Sequence, residues 1–172
     1  MASGLTAASF ANTGLAATTT YFFRVQAADA AGTSGFSAQA SATTQSGSGN
    51  GGVTVTPVVA ANSPWFNEED VRLSNTGGLT TMTVTIVVQR TTGISFSGQY
   101  NTVGGQITQA NSSTTSTVTY TFTLNAGQSL NPGSYMFAAQ TSGTGTAHPT
   151  AGDTWTVTYT TGGQNFNQTG HF

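Results

Sequence analysis

No cysteine and no lysine occur in this chain, and its charge is confined to three arginines and five acidic residues. The missing thiols exclude disulfides, thiolate metal sites and a cysteine nucleophile, while the missing amines exclude a Schiff-base lysine and a phosphate-loop lysine. Three arginines cannot build the basic stripe that nucleic acid or an anionic membrane requires, so neither is expected as a partner. No apolar run approaches the length of a membrane span, and the start "MASGLTAASF" has neither the basic residues nor the apolar stretch of a signal peptide. The lack of cysteine leaves the compartment open. A Thr-rich, lysine-free composition is that of an extracellular protein, whose export signal would lie upstream.

In place of charge the chain has hydroxyls. Threonine makes up about one residue in five, and Ser, Asn, Gln and Gly supply most of the other polarity, an inventory that favours strands and turns over helix. From Val53 onward apolar and polar residues alternate with a period of two. "TMTVTIVV" sets Met82, Val84, Ile86 and Val88 on one side. "TVTYTFTL" does the same with Val118, Tyr120, Phe122 and Leu124, and "DTWTVTYT" with Trp155, Val157 and Tyr159; the other sides are nearly all Thr. With "VTVTPVV", "EDVRLSN", "GISFSGQY", "GQITQAN", "SYMFAAQT" and "QNFNQTG" the count reaches about nine strands, and "NTGG", "NAGQ" and "NPGS" supply turns. Links this short forbid parallel crossovers, so an all-β, antiparallel sandwich is expected over residues 53–172.

The run "QSGSGNGG", residues 45–52, has the composition of a flexible linker and separates this region from residues 1–44. In the first segment, Gly14, Leu15, Thr19, Tyr21, Phe23 and Val25, followed by Ala27, Gly32, Ser34 and Ser37, resemble the C-terminal half of a fibronectin type III domain, with Ala17 where that pattern has proline. The resemblance implies that Tyr21 is a tyrosine corner. A complete domain of that type takes about 100 residues and seven strands. Residues 1–44 are therefore expected to be a partial domain with uncovered apolar faces.

Three of the five acidic residues stand together as Glu68-Glu69-Asp70. A glycosidase pair must face across a sugar ring at roughly 5 to 10 Å. Neighbours on a strand point to opposite faces, which separates Glu68 from Glu69, whereas Glu68 and Asp70 share a face but stand too close to flank a ring. Catalysis is not expected. These residues read as the polar entry to the strand of Val71 and Leu73, with Glu68, Asp70 and the isolated Asp153 as candidate calcium ligands and no other cofactor implied. His148 and His171 lack metal-ligand spacing and read as turn and tail residues. Rows of Thr-x-Thr also raise the idea of a hydroxyl lattice matched to ice, but the strands differ in length and show no fixed repeat.

Aromatic residues outside the alternation point to a binding role. Trp65 and Phe66 follow Pro64 in a loop, and Tyr100 sits in "GQYNTVGG". A sugar lays its apolar face on an aromatic plane while amides, carboxylates or imidazoles bond its hydroxyls. Trp65, Phe66, Gln99, Tyr100, Asn101 and His148 supply that chemistry, although Trp65 could equally plug the open end of the sandwich; Trp155, which shares a face with Val157 and Tyr159, is expected in the core. The region from "WFNEEDVRLSNTGG" to "GDTWTVTYT" is similar in style to cellulose-binding modules of the family 2 and 3 type, without their planar strip of three aromatics. That likeness implies a non-catalytic module on a neutral polysaccharide, cellulose-like or chitin-like, as the tail of a secreted bacterial enzyme whose catalytic domain lies upstream. An extracellular spacer or adhesive module is the alternative.

Overall fold

In a computed structural model the chain forms two compact units, residues 1–48 and 49–172. The structure describes Ala7, Leu15 and residues 19–43 of the first unit and all of 49–172 in the second. Gly14, Ala17 and the first half of the Gly-Ser linker, residues 45–48, fall outside the described residues.

Residues 19–43 of the first unit form one long antiparallel hairpin. Strands β1 (Thr20–Phe23) and β4 (Ala40–Thr43) pair along their whole length, and the inner strands β2 (Ala28–Asp29) and β3 (Gly32–Thr33) close the tip. Asp29 makes the tip turn by accepting the amides of Ala31 and Gly32 on Oδ1, the local bonding for which Asp is favoured in turns. Phe22, Val25 and Phe36 remain 60 to 72% exposed. A two-stranded ribbon with its apolar side chains in water is at best marginally stable. Amide exchange over residues 19–43 is accordingly expected to be complete within seconds to minutes while the strands Leu79–Gln89 and Thr117–Leu124 of the second unit remain protected for hours or longer; equal protection in a monomer would show that the hairpin is covered.

The second unit is a sandwich of nine antiparallel strands, and every one of the nine expected segments is a strand. A four-stranded sheet has the order β5 (Val53–Asn62), β6 (Phe66–Asn75), β11 (Gly133–Ser142), β8 (Ser95–Asn101). Facing it is a five-stranded sheet in the order β13 (Gln164–His171), β12 (Thr154–Thr161), β7 (Leu79–Gln89), β10 (Thr117–Leu124), β9 (Ile107–Ser113). The alternation is the cause. Val84, Ile86 and Val88 on β7, Val118, Tyr120 and Phe122 on β10, and Val157 and Tyr159 on β12 turn inward, where they meet Val71, Leu73 and Phe137 of the other sheet, all with at most 2% exposure. Phe122 and Phe137 touch across the sandwich with ring centroids 5.4 Å apart, a tilted pair of the favoured kind.

The opposite side of the five-stranded sheet is laid with threonine. Thr158, Thr83 and Thr123 stand side by side on β12, β7 and β10, and Thr156, Thr85 and Thr121 form the next row. Trp155 belongs to the core: it is 8% exposed, lies over Gly170 and donates its indole N–H to the His171 carbonyl. At one end of the sandwich Asn75 donates to the carbonyls of Gly77 and Asn131, binding the "NTGG" and "NPGS" turns together.

Candidate functional site

Strand β6 carries charge on both of its faces, and the pleat decides where each group goes. Phe66, Glu68, Asp70 and Arg72 project from the outer side of the four-stranded sheet; Asn67, Glu69, Val71 and Leu73 project inward. On the outer side the cross-strand register puts Glu68 beside Gln140 and sets Asp70, Ala138 and Tyr100 in one row.

Glu68 is the centre of this outer face. Its Oε1 accepts from the Tyr100 hydroxyl at 3.2 Å and its Oε2 from Gln140 Nε2 at 2.6 Å. Gly98 makes the arrangement possible, because a Cβ there would lie 2.6 Å from Gln140 Oε1. One strand position further along, Arg72 pairs with Asp70 at 3.2 Å; the guanidinium is half exposed and the carboxyl buried. Burial pushes the Asp70 carboxyl up, against the pull of Arg72. Beside them an open depression of ≈ 450 Å³ runs over Thr56, Arg72, Thr102 and Met136. The face thus combines one exposed aromatic ring, a half-buried Phe66, and a carboxylate, a carboxamide and a guanidinium suited to hydroxyls.

Trp65 settles the choice between core plug and surface ring: it is 70% exposed. Its position is fixed from below. The Trp65 carbonyl accepts from Gly143 N, the Pro64 carbonyl accepts from Gly145 N, and the indole rests on Gly145, which has φ +98° and no Cβ to hold the ring away. A Cβ at Gly143 would collide with the Pro64 carbonyl oxygen, so a glycine is needed where β11 ends.

Three of the expected sugar contacts are elsewhere. Gln99 is out of phase with Tyr100, and its carboxamide is buried with no hydrogen-bond partner among the described residues. Asn101 uses Oδ1 to accept the amides of Val103 and Gly104, which makes it the organiser of the turn after β8. His148 is 2% exposed and cannot meet a ligand at the surface. The expected calcium trio is also dispersed. Glu68 and Asp70 lie on the outer face, whereas Asp153 is buried on the inner side of the sandwich.

Beneath the outer face lies a polar cluster that spacing alone does not reveal. Glu69 of β6, Asp153 just before β12 and His148 of the β11–β12 loop each offer a ligand atom within 4.8 Å of the other two. Asp153 Oδ1 accepts from the Gln89 amide at 2.7 Å, and Oδ2 is 2.6 Å from His148 Nε2. His148 Nδ1 is 3.4 Å from Thr91 Oγ1. The histidine backbone is clamped by Asn62, whose Nδ2 donates to the His148 carbonyl while its Oδ1 accepts the His148 amide. Asn67 Nδ2 donates to Glu69 Oε1, but Glu69 Oε2 has no donor among the described residues. Burial first, and the adjacent Asp153 carboxyl second, push the Glu69 carboxyl up to about 9, so in the absence of a cation it keeps its proton at neutral pH.

The chain matches no protein-family model and no curated protein sequence.

Proposed function

We infer that the sandwich of residues 49–172 is a non-catalytic module that binds a neutral polysaccharide, of cellulose-like or chitin-like chemistry, on the outer face of its four-stranded sheet and on the adjoining Trp65 loop. The observation that carries this reading is the exposed Trp65 indole, supported by glycine-backed backbone bonds at the start of the strand that also bears Phe66 and Glu68. The indole touches Gly145 but keeps most of its surface in water, so core packing does not account for it. The Glu68, Tyr100 and Gln140 network supplies polar partners for sugar hydroxyls. Sparse charge suits an uncharged polymer, which offers nothing for electrostatic steering to act on. In a secreted enzyme such a module raises the local concentration of a catalytic domain at an insoluble substrate.

Sedimentation with washed cellulose and with chitin, together with titration of soluble glucans, tests the reading. Depletion of the protein from the supernatant, or saturable binding of a glucan, is expected; no binding to any of them leaves the spacer or adhesive role. Trp65→Ala and Tyr100→Ala should each weaken binding by about 1 kcal/mol or more, roughly fivefold, without altering the melting temperature. Unchanged affinity in both variants moves the site off this face.

A further inference from the structure

We propose that Glu69, His148 and Asp153 bind one divalent transition-metal cation of the zinc class inside the sandwich. The proposal does not depend on polysaccharide binding at the surface. Three separate parts of the chain bring the ligands together: β6, the β11–β12 loop and the entry to β12. All three side chains are at most 2% exposed.

Charge is the first argument. Two carboxyl groups are enclosed with no arginine against them, because Arg72 is on the outer face with Asp70 and Arg90 bonds the carbonyls of Ile94 and Thr114. Enclosed carboxylates without a counter-charge are unfavourable, because burial strips the water that stabilises their charge. A divalent cation with two carboxylates and a neutral imidazole sums to zero.

Unused donors are the second. Glu69 Oε2 is buried with no hydrogen-bond partner among the described residues, and Glu69 and Asp153 each offer a ligand atom within 4.8 Å of the other; two acceptors cannot bond each other unless a proton or a cation stands between them. Asn67 Oδ1 and Thr141 Oγ1 are likewise buried and without partners among the described residues. Asn67 touches Glu69 through its amide nitrogen, and Thr141 is its cross-strand neighbour. Either can complete a four-coordinate shell, as can a water.

The donor set selects the metal class. Calcium takes about 6 to 8 oxygen ligands, more than this enclosure offers, and magnesium holds on to its waters. One imidazole nitrogen with two carboxylate oxygens suits zinc, at bond lengths of about 2.0–2.2 Å. The ion replaces the proton in the 2.6 Å contact between His148 and Asp153. His148 belongs to a loop, so the small separation this needs is local. Thr91 at Nδ1 and the Gln89 amide at Asp153 Oδ1 then orient the ligands from outside.

Protein stripped with chelator and titrated with cobalt(II) should take up one equivalent, develop the intense visible bands of a four-coordinate ion and lose them on addition of zinc chloride. Calorimetry with zinc chloride alone should give the same stoichiometry, and zinc should raise the melting temperature by several degrees. Glu69→Gln and Asp153→Asn should each lower zinc affinity by at least the roughly tenfold that even an outer-shell partner costs. His171→Ala, which removes the exposed imidazole, should leave it unchanged. Overturning results are a wild-type protein that binds neither ion, cobalt bands of a six-coordinate ion only, a response to calcium alone, or binding that His171→Ala abolishes and Glu69→Gln does not alter. The cobalt spectrum of the wild-type chain decides the matter even if a variant does not fold.

Discussion

Asp153→Ala is expected to cost about 3–5 kcal/mol of folding stability, the loss that follows when two buried groups lose the carboxyl that satisfied them. The side chain has no exposed surface, and both of its oxygens are engaged, one by the Gln89 amide and one by His148 Nε2. Truncation leaves an unpaired backbone N–H at the end of β7 and an imidazole with no carboxylate, and it opens a small void that water must fill. Each stranded donor adds about 1–3 kcal/mol. Urea denaturation at pH 7 measures the effect, with the slope against denaturant unchanged if the unfolded state is unaltered. A loss below about 1 kcal/mol would mean that the β11–β12 loop is held by Asn62 alone.

Glu69→Gln is expected to stabilise the metal-free protein at pH 8 and to leave it nearly unchanged at pH 5. The folded-state pKa of Glu69 is about 9, raised by burial from the 4.5 of a free carboxyl. The folded chain therefore holds a proton that the unfolded chain releases as pH rises through 4.5. Stability contributed by the protonated carboxyl is complete below pH 4.5 and falls as pH climbs toward 9, at up to about 1.4 kcal/mol per unit. The facing groups are Asp153, His148 and the Tyr120 hydroxyl, whose own pKa burial raises; a glutamine removes the titrating proton while keeping the size and polarity of the side chain and adding no charge. Urea midpoints at pH 5 and pH 8, both with chelator present, should separate for the wild type and converge for the variant. Equal pH slopes in the two proteins would show that Glu69 is ionised in the fold.

Most of the fold is legible in the residues because alternation is a direct physical record of which side of a strand is wet. "TVTYTFTL" is β10 from its first residue to its last. Strand ends are less visible: β6 begins at Phe66, three residues before the run "EDVRLSN", since its first pairings are made by Asn67 and Glu68 with β5 and by Phe66 with β11. The exposure of Trp65 is not legible, because it depends on the distant Gly143 and Gly145. The buried cluster left a trace that is readable once phase is applied to charged residues as strictly as to apolar ones. Glu69 is in step with Val71 and Leu73, and Asp153 is in step with Trp155, Val157 and Tyr159. Treating Glu68-Glu69-Asp70 as one polar entry hides that step. His148 has no such signal, since a loop residue has no phase.

The threonine rows on the outer side of the five-stranded sheet give this surface an unusual relation to ionic strength. Where most domains keep apart through charges that salt screens within about 10 Å, the rows of Thr83, Thr85, Thr121, Thr123, Thr156 and Thr158 are hydrated hydroxyls and methyl groups, which have no field to screen. Solubility of the sandwich, and its retention on an uncharged polymer, should therefore vary little between low-salt buffer and seawater, and little on crossing the isoelectric point near pH 5.3.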